Sequence, residues 1–185
     1  MRVADQIINF VHDELGVDVI FTVCGGGVMF LTDSIGQHPN VKYVGCHHEQ
    51  AAAMAASGYS RYTGKMGVCV VTTGCGGTNT LTGVLGAYQD RIPMFIISGQ
   101  VKRSECTEYI IQTKNSWPKI SFKQLGVQEV NIIPIVRPIT VWSKLATDAV
   151  DVLAELRSLK QMAEYYNGPV WYDVPIDIQG AEIDE

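Results

Sequence analysis

Residues 67–79 read GVCVVTTGCGGTN, an apolar run that ends in a glycine-rich turn. The run is continuous in apolar residues, which is typical of a strand buried on both faces of a parallel sheet. Four further runs share this character: VDVIFTVC after Gly16, VKYVGC from Val41, PMFIISG from Pro93 and GPVWYDVP from Gly168. Helical stretches between them supply the crossovers. The sequence therefore predicts a doubly wound α/β fold, with a mainly parallel sheet and helices on both faces.

Both ends of the chain predict helices. Near the N-terminus, apolar residues recur at helical spacing at Val3, Ile7, Ile8, Val11 and Leu15. Near the C-terminus, the pattern predicts a last helix over Asp148 to Tyr166. Between them, Gln100 to Pro134 has no clear period and predicts a long excursion of the type that is usually functional or mobile. We find no interdomain linker, so we expect residues 1–185 to form one domain.

Composition excludes several classes of partner. The net charge is −5 and no lysine or arginine cluster is present, which argues against nucleic acid and against an acidic membrane surface. No apolar run is long enough to span a bilayer. The five cysteines include no CxxC spacing, and most lie in apolar runs, so we expect reduced thiols and a cytoplasmic location.

Three of the predicted strands end in turns that carry glycine. The first turn is CGGG (Cys24 to Gly27), the second is GCHHEQ (Gly45 to Gln50) and the third is TTGCGGTN (Thr72 to Asn79). Ligands of such sheets bind outside the carboxyl ends of the strands, so Glu49, Asn79 and the glycines should converge at one edge. Taken singly, each glycine could merely form a tight turn, and Glu49 could merely stabilise the first turn of a helix.

Nucleotide-binding patterns are weak in this sequence. The first turn continues as CGGGVMF, which does not complete GxGxxG, and no strand is followed by the acid that would bind a ribose. A GxxxxGK[ST] phosphate loop is also absent from the sequence. A dinucleotide or phosphate-loop function is therefore not favoured.

A longer comparison of motifs points to one family. The segment EQAAAMAASGYSRYTGKMGVCVVTTGCGGTNTLTGVLGAYQDRIPMFIISGQV, together with QLGVQEVNIIPIVRPIT and GPVWYDVPIDIQ, resembles the N-terminal, pyrimidine-binding domain of thiamine-diphosphate-dependent enzymes of the acetolactate synthase type. The resemblance covers nearly the whole chain. The His-Glu-Gln turn, the TTGxGGTN segment and the GPVxxDVPxDxQ ending occur in the family's order and spacing.

This resemblance implies a catalytic role for Glu49. In the family, the matching glutamate hydrogen-bonds N1′ of the aminopyrimidine of thiamine diphosphate and favours the tautomer whose 4′-nitrogen takes the proton from thiazolium C2. The implied reaction decarboxylates a 2-keto acid, with pyruvate as the expected substrate, and ligates the two-carbon unit to a carbonyl acceptor. The resemblance further implies a substrate-side Gln128 and the cofactor-binding residues Gly25, Gly26, Glu49, Thr73, Gly74, Gly76 and Asn79.

The resemblance also implies that part of the cofactor site lies elsewhere. In the family, a Gly-Asp-Gly motif and a later asparagine of a separate C-terminal domain hold magnesium and the diphosphate, and this sequence has no Asp-Gly pair. We therefore assign no metal ligand to this chain and expect the central and diphosphate-binding domains to be absent from it. The chain alone should be inactive and should pair with a diphosphate-binding domain of the same or another chain, in a homodimer or larger assembly.

Three interpretations remain open at this stage. The chain is a fragment of a longer enzyme, or it is the pyrimidine-binding subunit of a split 2-keto acid decarboxylase. In a third interpretation, from a different class, it is a stand-alone α/β binding module in which Glu49 is structural.

Overall fold

Six parallel strands form one sheet in the computed structural model, which describes residues 1–114 and 124–183. The strands are β1 (Val19–Val23), β2 (Lys42–Gly45), β3 (Gly67–Val71), β4 (Met94–Gln100), β5 (Trp142–Leu145) and β6 (Val170–Pro175). Their order across the sheet is β2-β1-β3-β4-β6-β5, and each neighbouring pair is parallel. The predicted doubly wound α/β fold is confirmed.

Helices cover both faces of the sheet. They are α1 (Val3–Asp13), α2 (Met29–Gln37), α3 (Glu49–Thr63), α4 (Cys75–Thr78), α5 (Leu81–Gln89), α6 (Thr107–Lys114), α7 (Ile132–Val136), α8 (Val152–Tyr166) and α9 (Ile176–Gln179), with short 3-10 turns at Gly26–Val28, Arg103–Glu105 and Arg137–Ile139. One apolar core lies under α1, α2 and α8, and the other lies under α3, α5 and α7. No helix in the described ranges is long and apolar enough to cross a membrane.

Burial follows the position of each strand in the sheet. Every residue of β3 and β4 is buried, as their continuous apolar runs predict for central parallel strands. All four residues of β2 are exposed, so the prediction of burial on both faces is wrong for this edge strand. The opposite edge strand, β5, was not predicted, because WSKL is short and only Leu145 in it is buried.

The predicted terminal helices are found with one shifted boundary. The first helix buries Val3, Ile7, Ile8 and Val11 as its spacing predicts. The later helix ends at Tyr166 as predicted, but it begins at Val152 and not at Asp148, because the Asp148 carboxylate accepts the Val150 N–H in a preceding turn. In the excursion, α6 and the start of α7 were not predicted, and residues 115–123 lie outside the described part of the chain.

Helices α3 and α5 approach each other closely through small side chains. A Cβ added to Gly83 of α5 would lie 2.7 Å from Cβ of Ala53 and 3.0 Å from the backbone nitrogen of Met54. Glu49 begins α3 and Asn79 lies just before α5, so this contact sets the distance between the two predicted site residues. The small residues of these helices therefore have a packing role near the carboxyl edge.

We expect Gly83→Ala to lower the free energy of unfolding by about 1–3 kcal/mol, because its methyl group would force α3 and α5 apart. Gly86→Ala, in the same helix, is the matched control, since a Cβ at Gly86 would meet nothing within 4 Å. The control should instead raise stability by about 0.5–1 kcal/mol through helix propensity. Urea unfolding followed by circular dichroism measures both, and equal stability of the two variants would contradict the packing argument.

Candidate functional site

Glu49 is placed at the first residue of α3 by a local cap. The backbone N–H of Gln50 donates to His48 Nδ1 at 3.1 Å, which makes His48 the N-cap of the helix. His47 and His48 are exposed, whereas Glu49 is half-buried. The histidine beside Glu49 therefore has a structural task that accounts for its position.

Asn79 orients the Glu49 carboxylate. The Asn79 amide Nδ2 donates to Glu49 Oε2 at 2.9 Å, across 30 residues of sequence. The other oxygen, Oε1, lies 3.6 Å from the point where a Cβ on Gly76 would be. The structure thus brings Glu49, Gly76 and Asn79 together, as their positions after two parallel strands of one sheet predict.

Thr72 is the contact point between the first and third turns. A Cβ on Gly25 would lie 2.6 Å from Cβ of Thr72, and one on Gly76 would lie 2.7 Å from Cγ2 of Thr72. The N–H of Gly27 donates to Thr72 Oγ1 at 3.0 Å. Sequence reasoning missed Thr72, and the only signal for it was the paired threonines of TTGCGG.

Thr73 and Gly74 fix the third turn to its neighbours. Thr73 is buried, and its hydroxyl donates to the carbonyl of Gly99 in β4 at 3.0 Å. Gly74 has φ +67°, and a Cβ there would lie 2.2 Å from the carbonyl oxygen of Gln128. Glycine is therefore required at position 74 both by its backbone conformation and by this close approach. Gly26 is exposed, and a Cβ there would meet nothing within 4 Å.

Gln128 lies beside the third turn and has a left-handed backbone, with φ +60°. Together with Gly26, Thr73 and Lys102 it lines a cleft of about 260 Å³. Glu49 and Asn79 do not line this cleft. The candidate site therefore has two adjoining parts, one around Glu49 and one in the cleft. Gly25 and Thr72 belong to the part around Glu49, and the residues that follow them, Gly26 and Thr73, line the cleft.

Larger clefts lie elsewhere on the molecule. One of about 550 Å³ separates β5 from α8, and another of about 620 Å³ lies beside the C-terminal half of α8. Neither includes a predicted site residue. Within the described residues, no group of three or more His, Cys, Asp and Glu side chains is arranged to hold a metal ion.

A buried carboxylate, that of Asp173 in β6, belongs to the same end of the sheet. It accepts hydrogen bonds from Ser98 Oγ at 2.5 Å and from Gln100 Nε2 at 3.0 Å. Burial raises the pKa of Asp173 to about 7, and the hydrogen bonds from Ser98 and Gln100 limit this rise. Because Gln100 also lines the cleft beside Gln128, the carboxylate is one side chain away from the candidate site.

Glu129 organises the loop that carries Gln128. Its carboxylate accepts hydrogen bonds from the backbone N–H and the hydroxyl of Thr107, and from the N–H groups of Leu125 and Gly126. These bonds join the loop to the start of α6. Nothing in the sequence pattern pointed to this role for Glu129.

Glycine turns at the carboxyl edge of a parallel sheet, gathered around one carboxylate, define the class of α/β domains that bind a ligand at that edge. The chain belongs to the family of N-terminal TPP-binding domains of thiamine pyrophosphate enzymes, whose family model matches residues 1–131. The family resemblance read from the motifs is thereby confirmed.

Three curated relatives illustrate what the chain is similar to. An acetolactate synthase large subunit of Haemophilus influenzae is 35% identical over 175 residues, which are 94% of this chain and 28% of that protein. A large subunit of Corynebacterium glutamicum is 34% identical over 93% of this chain and 25% of its own length, and an acetolactate synthase of Mycobacterium bovis is 36% identical over 90% and 24%. The chain thus spans between 24% and 28% of these relatives.

Asp173 should make stability depend on pH in a defined window. Its pKa is higher in the folded than in the unfolded chain, so between about pH 4 and pH 7 the folded protein holds the extra proton. The free energy of unfolding therefore falls as pH rises through this window. We expect Asp173→Asn to remove this contribution, on the order of 3 kcal/mol between pH 5 and pH 8.

Urea unfolding at several pH values measures this slope. Asp13→Asn is the control, because Asp13 is exposed at the end of α1, and it should keep the wild-type slope. A wild-type slope in Asp173→Asn would show that the buried carboxylate is not the group that titrates.

Proposed function

We propose that this chain is the pyrimidine-binding half of a thiamine-diphosphate enzyme. The enzyme decarboxylates a 2-keto acid, with pyruvate as the expected substrate, and ligates the two-carbon unit to a carbonyl acceptor. The observation that carries the proposal is the Glu49 carboxylate at the carboxyl edge, held through Oε2 by Asn79 and facing Gly76 through Oε1. Family membership supports the same cofactor.

The residues around Glu49 fit a flat ring. Gly25 and Gly76 both press against Thr72, and neither has space for a Cβ, so backbone and not side chains forms the surface there. A planar heterocycle can lie closely against such a surface. Gly25, Gly26, Thr73, Gly74, Gly76 and Asn79 would shape this part of the site, with Gln128 on the substrate side.

The bound cofactor would supply an acidic thiazolium carbon and an electron sink for decarboxylation. Glu49 would hold a proton at the ring nitrogen N1′ through Oε1, while Asn79 keeps Oε2 as an acceptor and so orients the carboxyl group. Sharing of a proton between a carboxylate and a ring nitrogen is strongest when water is excluded. Glu49 is half-buried in this chain, so another surface should cover it.

That surface is the diphosphate-binding domain of the same or another chain, and magnesium would be held there. A second copy of the chain is the further partner that we propose, because two-fold pairs are the commonest closed assemblies. Exposed apolar side chains of α3 and α5 support an interface on these two helices, with Met54 47%, Leu85 40% and Tyr88 40% exposed.

Glu49→Gln in the complete enzyme should keep the fold and slow hydrogen–deuterium exchange at cofactor C2 by about a hundredfold or more, because an amide cannot share the proton at N1′. The glutamine oxygen can still accept from Asn79, so the local geometry is preserved. NMR of the C2 proton measures the exchange rate. Glu164→Gln, exposed on α8 and far along the chain from the edge turns, is the control. Wild-type exchange in Glu49→Gln would overturn the assignment of Glu49 as the proton-sharing group.

The 185-residue chain alone should bind thiamine diphosphate weakly and without dependence on magnesium, because the proposed site contacts only the pyrimidine. Thiamine, which has the same rings and no diphosphate, is the matched ligand and should bind equally weakly. Isothermal titration calorimetry with and without magnesium compares the two. Micromolar, magnesium-dependent binding that needs the diphosphate would place the phosphate site within this chain and overturn this division of the site.

A further inference from the structure

A chain of buried side chains runs from Trp171 to the loop that carries Gln128. Trp171 Nε1 donates to Ser98 Oγ at 2.7 Å, and Ser98 Oγ donates to Asp173 Oδ1 at 2.5 Å. Gln100 Nε2 donates to Asp173 Oδ2 at 3.0 Å and to the carbonyl of Val130 at 2.9 Å. Trp171, Ser98, Gln100 and Asp173 are each at most 2% exposed.

The direction of every hydrogen bond in this chain is determined. The indole nitrogen of Trp171 can only donate, so the Ser98 hydroxyl accepts from it and directs its own proton to Asp173. Gln100 uses both protons of its amide nitrogen, and its oxygen accepts the N–H of Val101 at 3.0 Å. Ionised Asp173 therefore accepts one hydrogen bond from Ser98 and one from Gln100. Among these residues, neither of the two donated protons has another acceptor.

A proton on Asp173 would disturb one of the two arms. On Oδ2 it would face the N–H of Gln100, which places two donors against each other. On Oδ1 it would reverse the Ser98 hydroxyl, which already accepts from Trp171. The position of the Gln100 amide thus depends on the charge of the Asp173 carboxyl group.

Gln100 transmits this dependence to the loop. The carbonyl of Val130 is held by Gln100, and the preceding Glu129 is held by Thr107, Leu125 and Gly126. Gln128 directly precedes Glu129 and lies two residues before Val130. Its carbonyl oxygen occupies the place where a Cβ on Gly74 would be. A displacement of Val130 must therefore change the contact between Gln128 and the third turn.

Trp171, at the other end of these hydrogen bonds, lies against the same turn. A Cβ on Gly77 of α4 would lie 3.5 Å from Cζ2 of Trp171 and 3.5 Å from Cδ1 of Ile132. The indole ring thus lies beside the helix that follows Gly74, on the side to which a Cβ of Gly77 would point. Both ends of the hydrogen-bonded chain reach the third turn.

We infer that Asp173 and Gln100 are positioning residues that hold Gln128 against the third turn. Their role on the substrate side rests on the proposed function, whereas their coupling to the loop does not. Asp173 contacts neither the proposed cofactor ring nor the reacting atoms, and it acts through Gln100 and the Val130 carbonyl.

Few other charges face this carboxylate. Helix α7 has no ionisable side chain, and α4 contributes only Cys75. Lys144 of β5 pairs with Glu155 of α8, on the other side of the sheet. The nearest other charges are Lys102 and Glu105, which line the same cleft as Gln100, and Glu129, which holds the loop beside Val130. Cys46, Cys69, Cys106 and Tyr109 are further titratable groups in or against the core on this side.

NMR of the ¹⁵N-labelled 185-residue chain between pH 5 and pH 9 tests the inference without cofactor or substrate. The indole N–H of Trp171, assigned by its loss in Trp171→Phe, should titrate with a midpoint near pH 7, as should the amides of Gly74, Gln128 and Val130. All of these changes should disappear in Asp173→Asn. Any change that persists in that variant belongs to another group.

Two further variants separate the arms. Ser98→Ala should abolish or strongly reduce the titration of the Trp171 indole. The loop amides should still titrate, with a midpoint moved to higher pH because the ionised carboxylate has lost a donor. Gln100→Leu should do the reverse, and the indole midpoint should move to higher pH, because the ionised carboxylate has lost a donor. If Asp173 served only core stability, the two variants would not differ in which signal, the indole or the loop amides, stops titrating.

Loop amides that do not titrate, or that still titrate in Gln100→Leu, would overturn the inference. If Asp173→Asn fails to fold, Gln100→Leu decides the question, because it keeps the carboxylate and removes only the link. In the assembled enzyme, the same midpoint should appear in the pH profile of kcat/KM and be lost in Gln100→Leu. If the loop amides titrate but kcat/KM shows no such pH dependence, the substrate-side role is overturned. Normal C2 exchange in Glu49→Gln would overturn only the proposed function.

Discussion

The side chain of Thr72 fills the space in which a side chain of the first or the third glycine turn would lie. Gly25 and Gly76 come from different crossovers, yet both place their Cα atoms where an added Cβ would overlap Thr72. The hydroxyl of Thr72 also accepts the N–H of Gly27, so the first turn is bonded as well as packed. The positions of both turns thus follow from one residue at the end of β3. Glu49 reaches Gly76 only because the third turn is held there.

Two carboxylates at this end of the sheet have opposite environments. Glu49 lies at the surface, where one oxygen is oriented by Asn79 and a covering partner can still approach. Asp173 lies in the core, where its two oxygens are occupied by Ser98 and Gln100. A buried charge without hydrogen bonds would be costly, and these two donors offset part of that cost. The proton-sharing role proposed for Glu49 needs a carboxylate that a ligand can reach, and the positioning role proposed for Asp173 needs a carboxylate with partners on both oxygens.

The sequence predicted the elements better than their contacts. Continuous apolar runs identify the buried strands, and the turns after them must meet because parallel strands end at one edge. The strand β5 was missed because its residues are mostly exposed, and no local pattern marks it. Thr72 and Asp173 could not be identified as contact points, since their roles depend on strand register. The pairing that sets Ser98 opposite Asp173, for example, joins residues 75 positions apart.

The register of β4 and β6 also explains why the excursion leaves the sheet at Gln100. Gln100 pairs with Pro175, which has no N–H, so the backbone ladder cannot continue on that side. The side chain of Gln100 then bonds Asp173 and Val130, and it directs the chain into the loop. Three residues later, Arg103 is bonded through its N–H and guanidinium to Asp177, which holds the departing segment against α9 and raises the pKa of Arg103. The start of the excursion is therefore fixed to β6 and α9 by specific hydrogen bonds, and its later described end is bonded to Gln100 and Thr107, although the excursion has no periodic pattern. Long-range hydrogen bonds can order such a segment without any regular spacing of apolar residues, and this is why its structured ends were invisible to periodicity.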